Sequence, residues 1–90
     1  MVIQNRNIQF TKLIKADGRL REFNFRKING GLQGELFTVD VSDDRGNRIM
    51  FRLYKEGNEW AILPEQSLPE WVTVSVPRFN ESIEEELRIS

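Results

Sequence analysis

Strict alternation of apolar and polar residues, broken at short intervals by turn formers, restricts the folding of this chain more than any other feature. It is clearest over residues 47–63, NRIMFRLYKEGNEWAIL. Ile49, Phe51 and Leu53 interleave with Met50, Arg52 and Tyr54, the period of a strand with one buried face. Glu56-Gly57-Asn58 supplies a glycine-bearing turn, and Trp60 and Ile62 then resume the alternation. The stretch predicts a hairpin, and the rest of the chain is organised around it.

The same pattern recurs upstream. Ile8, Phe10, Lys12 and Ile14 alternate with Gln9, Thr11, Leu13 and Lys15 in a first strand. Beyond Thr11 both sides carry apolar residues, so the buried side is open there. Ala16-Asp17-Gly18-Arg19 reads as a turn, because Asp-Gly accepts positive φ at little cost. Residues 20–28 form a second strand, with Phe23 and Phe25 on one face and Glu22, Asn24 and Arg26 on the other. Asn29-Gly30-Gly31-Leu32-Gln33-Gly34 is a flexible connection. In the third strand, residues 35–41, Phe37, Val39 and Val41 oppose Thr38 and Asp40. Residues 42–46 make a hairpin loop.

Downstream, Leu63-Pro64-Glu65 and Leu68-Pro69-Glu70 echo each other, and two prolines so close predict a loop with room for one helical turn after Pro64. Residues 71–76 read as a last strand, with Val72, Val74 and Val76 on one face and Thr73 and Ser75 on the other. Pro77 stops it. Phe79, Ile83 and Leu87 then recur at helical spacing among glutamates, and Pro77 or Asn80 opens this amphipathic helix.

The strand faces give a core of Ile8, Phe10, Phe23, Phe25, Phe37, Val39, Val41, Ile49, Phe51, Leu53, Trp60, Ile62, Val72, Val74 and Val76, covered by Phe79, Ile83 and Leu87. The opposite faces are polar, which antiparallel sheets tolerate and parallel ones rarely do. The expected fold is α+β: a single domain over residues 1–90, with five to six strands in a curled antiparallel meander and a C-terminal helix on the sheet. A small closed barrel plugged by that helix is the alternative.

Composition excludes chemistry more than it suggests any. With 39% apolar residues the chain is globular rather than disordered. It has no cysteine, which removes disulfides, thiolate sites and cysteine nucleophiles, and fits a reducing compartment. It has no histidine, which removes the usual general base and the usual zinc ligand. No cofactor or metal is expected. No apolar run approaches the ~20 residues of a membrane-spanning helix, and MVIQNRNIQF lacks a signal-peptide core. The expectation is a soluble, cytoplasmic protein.

Charge is balanced overall but unevenly spread. Arg6, Lys12, Lys15, Arg19, Arg21, Arg26 and Lys27 make the front basic. Glu56, Glu59, Glu65, Glu70, Glu81, Glu84, Glu85 and Glu86 make the tail acidic. Two ends that face each other, or are simply solvated, explain this; a basic patch for an anionic partner is the sharper reading.

Individual motifs are weak. Asp40, Ser42 and Asp44 occupy the first odd positions of a calcium loop, but its glycine is one place late and Phe51 stands where the closing glutamate belongs. The glycines of residues 29–34 lack phosphate-loop spacing, and no helix follows them. Residues 21–28 interleave aromatic and basic side chains like an RNA-binding strand, yet lack its small residues, and Phe23 and Phe25 share the core face. Fourteen acids offer no distinctive pair for carboxylate catalysis.

What remains is the polar sheet face. Asn24, Arg26, Thr38, Asp40, Arg52, Tyr54, Thr73 and Ser75 are assigned to it, with Arg52 and Tyr54 of the types that dominate interfaces. Trp71 either lines a groove with Leu63 and Leu68 or lids the core. The candidate binding residues are therefore Asn24, Arg26, Arg52, Tyr54 and Trp71. The leading expectation is a non-catalytic binding module for a protein partner or for itself. Single-stranded nucleic-acid binding through the basic strands comes second, and a carboxylate enzyme of small molecules last.

Overall fold

A computed structural model describes residues 8–30, 32, 34–64 and 67–89 of the chain. Gly31 and Gln33 of the glycine-rich connection and Glu65 of the proline echo lie outside the described residues. The elements are β1 (Gln9–Ala16), β2 (Arg19–Asn29), β3 (Glu35–Ser42), β4 (Arg48–Glu56), β5 (Glu59–Ile62), α1 (Glu70–Thr73) and α2 (Val76–Ile89). The strands form one antiparallel sheet in the order β1-β2-β3-β4-β5, curled into a half-barrel. The sheet is open, with β1 and β5 as its two edges, so the closed barrel is not formed.

Turn chemistry sets the registers. Asp17 and Gly18 both take positive φ (54° and 82°), as a two-residue hairpin turn of the primed type requires. This locks Ala16 opposite Arg19 and Phe10 opposite Phe25. Between β2 and β3 the chain closes on Gly30, whose N–H donates to the Gly34 carbonyl at 2.7 Å. A Cβ on Gly30 would stand 2.7 Å from Leu36 Cγ, so only glycine allows this approach.

Alternation does the rest. Phe23, Phe25, Phe37, Val39, Val41, Phe51, Leu53 and Trp60 are buried on the concave side. In β1 the inward set is Phe10, Lys12, Ile14 and Ala16, which pair with Phe25, Phe23, Arg21 and Arg19. Leu13 points outward and is exposed. That settles the side left open in the sequence.

The sixth strand is corrected. Residues 70–73 are helical, Val74 and Ser75 form a turn, and α2 begins at Val76. Val72 is fully buried, Val76 is half-buried and Val74 is 63% exposed. Val72 of α1 and Val76, Phe79 and Ile83 of α2 thus all turn to the core at helical spacing, a period that overrides the shorter one. Pro69 precedes α1, and Val72 N–H already donates to its carbonyl at 2.9 Å. Pro77 lies in the first turn of α2 rather than ending a strand. It has no N–H for the Thr73 carbonyl, and its ring crowds that carbonyl, so one continuous helix is interrupted here. No helix among the described residues is long and apolar enough to cross a membrane.

The helical assignment has a direct test. Val72→Ala should cost about 2 kcal/mol of stability in urea unfolding. Val74→Ala should change it by less than about 0.5 kcal/mol. Equal losses would mean that both valines are buried, as in a strand.

Candidate functional site

The convex side of the sheet holds most of the polar residues singled out in the sequence. They form rows across the strands. Thr11, Asn24, Asp40 and Met50 stand in one row; Gln9, Arg26, Thr38 and Arg52 in the next; Ile28, Leu36, Tyr54 and Ala61 in a third. The first row is a hydrogen-bonded ladder. Thr11 Oγ1 donates to Asn24 Oδ1 at 2.7 Å, and Asn24 Nδ2 donates to Asp40 Oδ1 at 2.9 Å. Arg48 Nη1 closes the ladder on the same Asp40 oxygen at 2.6 Å. Each bond is modest in water, but together they fix four side chains in one arrangement across four strands.

Met50 stands in that row, 51% exposed, with Arg48 and Arg52 two positions either side of it on β4. Leu36 is buried in the third row and Tyr54 is half-buried beside it. Burial first, and then the Glu56 charge and hydrogen bond, push the Tyr54 phenol above its ordinary value.

Asn24, Arg26, Arg52 and Tyr54 therefore share this face. Thr73 and Ser75, assigned to it from the sequence, do not. Both belong to the helical segment, where Thr73 Oγ1 donates to Glu70 O and the buried Ser75 donates to Trp71 O. Trp71 is on the opposite side of the sheet and lids the core, its ring 6.4 Å from that of Phe23. Phe23 and Phe25 are buried and offer no ring to solvent.

Arg21, one more basic side chain in the sequence, is a structural residue in the fold. It is only 6% exposed. Its Nε donates to the Ala16 carbonyl at 2.9 Å, its Nη1 lies 3.0 Å from Asp44, and its guanidinium lies 4.1 Å over the Trp71 ring. The signal was present, because residue 21 shares strand parity with Phe23 and Phe25. Arg19 also reaches Asp44, at 2.8 Å. Hydrogen bonds from Arg19 and then Arg21 hold the Asp44 carboxyl below the usual range.

The residues of the calcium-like loop go to separate tasks. Asp40 is in the ladder and Asp44 serves the two arginines, while Asp43 Oδ1 accepts the N–H groups of Arg45 and Asn47. Among the described residues no three acidic side chains converge on one point.

A second surface is a wide groove of about 1210 Å³ between β1, the β4–β5 turn and α2. Lys12, Lys15, Lys55, Arg78 and Arg88 line it together with Glu59, Glu81, Glu84 and Glu85. Lys12 Nζ bonds Glu85 at 2.7 Å, joining the basic front to the acidic tail. That bond holds the Glu85 carboxyl below its ordinary value, as a committed carboxylate, the opposite of what a general acid at neutral pH requires.

These features define an α+β domain, an open antiparallel half-barrel with a helix across its concave side and a polar, internally bonded convex face. No protein-family model, no curated protein and no solved structure matches the chain.

Two titrations check the electrostatics. The chain has a single tyrosine, so tyrosinate absorbance should report Tyr54 alone, with a midpoint above 10.0. Glu56→Gln should lower that midpoint only part of the way, because burial is the larger cause. For Asp44, a depressed folded value means stability that is present above its ordinary 3.8 and lost as pH falls through the folded value. Urea melts of wild type and Asp44→Asn should therefore differ near neutral pH and converge in acid.

Proposed function

We propose that this chain is a non-catalytic protein-interaction module that engages its partner with the convex face of the sheet. The observation that carries this reading is Met50, half exposed between Arg48 and Arg52 and beside the bonded row from Thr11 to Arg48. Methionine, arginine and tyrosine are enriched where protein interfaces are buried. A face whose polar side chains already hold one another loses little entropy when a partner covers it. Asn24, Arg26, Arg52 and Tyr54 share the face with the methionine and supply directional contacts.

Single-stranded nucleic acid is the second reading, favoured by Arg26, Arg48 and Arg52 on one face. It ranks lower because base stacking needs open rings. The convex face presents only the half-buried Tyr54.

Amide-correlation spectra of labelled protein separate the two. A protein partner captured by wild type should shift signals around Met50, and Met50→Asp should weaken binding at least about tenfold while leaving the fold intact. Short DNA and RNA pools that shift the same signals, and lose them as salt rises, would instead support the nucleic-acid reading. Partner binding unaffected by Met50→Asp and Arg52→Glu would overturn the face as the site.

A further inference from the structure

The two edges of the half-barrel are treated differently. On β5 the outward N–H and C=O of Trp60 are both taken by one side chain of α2. Trp60 N–H donates to Asn80 Oδ1 at 2.7 Å, and Asn80 Nδ2 donates to Trp60 O at 2.9 Å. The amide imitates a neighbouring strand and caps that edge at Trp60.

Among the described residues β1 has no such seal. Ile8 C=O accepts Lys27 N–H at 2.8 Å, so residues 8 and 27 form a hydrogen-bonded pair. Alternation then directs the backbone groups of Phe10, Lys12, Ile14 and Ala16 toward β2. Those of Gln9, Thr11, Leu13 and Lys15 point away from the sheet. Among the described residues no backbone hydrogen bond from another element reaches them. The strand pairs one-to-one with β2 over all eight positions, without bulge or proline. Its one inward charge, Lys12, is neutralised by Glu85. The groove lies along this edge and leaves room beside it. On the convex side Leu13 and Leu20 are 64% and 67% exposed. They are diagonal neighbours, because Lys15 pairs with Leu20 and Leu13 with Glu22.

We propose that β1 pairs with β1 of a second copy of this chain, antiparallel, with Leu13 on the two-fold axis. The outward-bonding parity admits an axis at any residue, and those nearest the middle of the strand, at Thr11, Lys12 and Leu13, keep most of it paired. An axis at Lys12 sets two lysines opposite each other, which is unfavourable. An axis at Thr11 sets Leu13 against Gln9 and leaves the leucines uncovered. The axis at Leu13 pairs Leu13 with its own copy, Thr11 with Lys15 and Lys12 with Ile14, so no like charges face one another. It gathers Leu13 and Leu20 of both chains into one cluster and gives the outward-facing backbone of both strands hydrogen-bond partners. The contact is isologous, as closed two-fold dimers require. It is centred on the β1 edge rather than on Met50 and does not depend on the convex-face reading.

The test is solution mass by sedimentation equilibrium up to millimolar protein. Wild type should approach twice the monomer mass. Leu13→Lys and Leu13→Glu alter an exposed side chain, keep the fold by circular dichroism, and should each be monomeric because like charges meet across the axis. A mixture of the two variants should dimerise again. Hydrogen exchange on wild type gives a second readout: the Thr11, Leu13 and Lys15 amides should gain protection as concentration rises. A wild type monomeric throughout, or a dimer that persists in both variants, overturns the proposal. So does a mixture that stays monomeric, or a monomer whose β1 edge takes up an unrelated extended peptide instead.

Discussion

The seating of Phe79 on the concave side of the sheet is the contact on which the rest depends. Its ring lies 5.1 Å from Phe23, 5.9 Å from Phe25 and 5.5 Å from Phe51, so one side chain of α2 meets β2 and β4 together. Burying a phenylalanine fully contributes roughly 2–3 kcal/mol, a large share of the roughly 5–10 kcal/mol by which a domain this size is stable. Neither half stands without the other. A 14-residue helix is marginal alone in water. A curled sheet without its helix would expose the concave face, including Phe37 and Trp60, which pack edge to face at 4.9 Å.

From that seat the helix reaches both edges of the sheet with unequal effect. Asn80, one residue beyond Phe79, meets the backbone of β5 and also donates to Val76 O at 3.1 Å. Glu85 meets β1 at the side chain of Lys12. A backbone-to-amide contact closes an edge; a side-chain ion pair leaves its backbone unpaired. Trp60 is thus fixed by its main chain and its ring. Its indole N–H, buried without an acceptor among the described residues, contributes nothing to that hold and carries a desolvation cost of about 1–3 kcal/mol.

Most of the sheet was legible in the sequence because each strand reports its buried face at period two and each hairpin is punctuated by residues suited to its turn. Phe23, Phe25, Phe37, Val39, Val41, Phe51 and Leu53 all lie where alternation puts them. Residues 70–76 were not legible for a specific reason: Val72 and Val76 satisfy both a strand and a helix period. Val74 and Ser75 distinguish them, and the exposure of the first and burial of the second are tertiary facts. β-branched residues added to the wrong signal, since their strand preference reflects the packing they usually find. The candidate site was legible to the extent that parity sufficed. Asn24, Arg26, Arg52 and Tyr54 follow from it, whereas Thr73 and Ser75 were placed through the misread segment; Trp71 takes the second of its two readings, the lid of the core. The bonded row from Thr11 to Arg48 depends on cross-strand register, which no single strand contains.

The two proposed surfaces meet at β1. Thr11 is the outermost member of the convex ladder and also one of the residues whose backbone faces the open edge. Two chains joined there would carry the convex face across the axis, with Lys15 of the second chain opposite Thr11 of the first. The sheet would run through ten strands, with two Met50 sites on one side of it. Both helices would lie on the other side, clear of any partner on the convex face. Two linked sites turn a second binding event into an intramolecular one, so individually weak contacts gain avidity without any new interaction. An unsealed edge is otherwise a liability to aggregation. In this arrangement it supplies the geometry that makes a small, shallow interaction face effective.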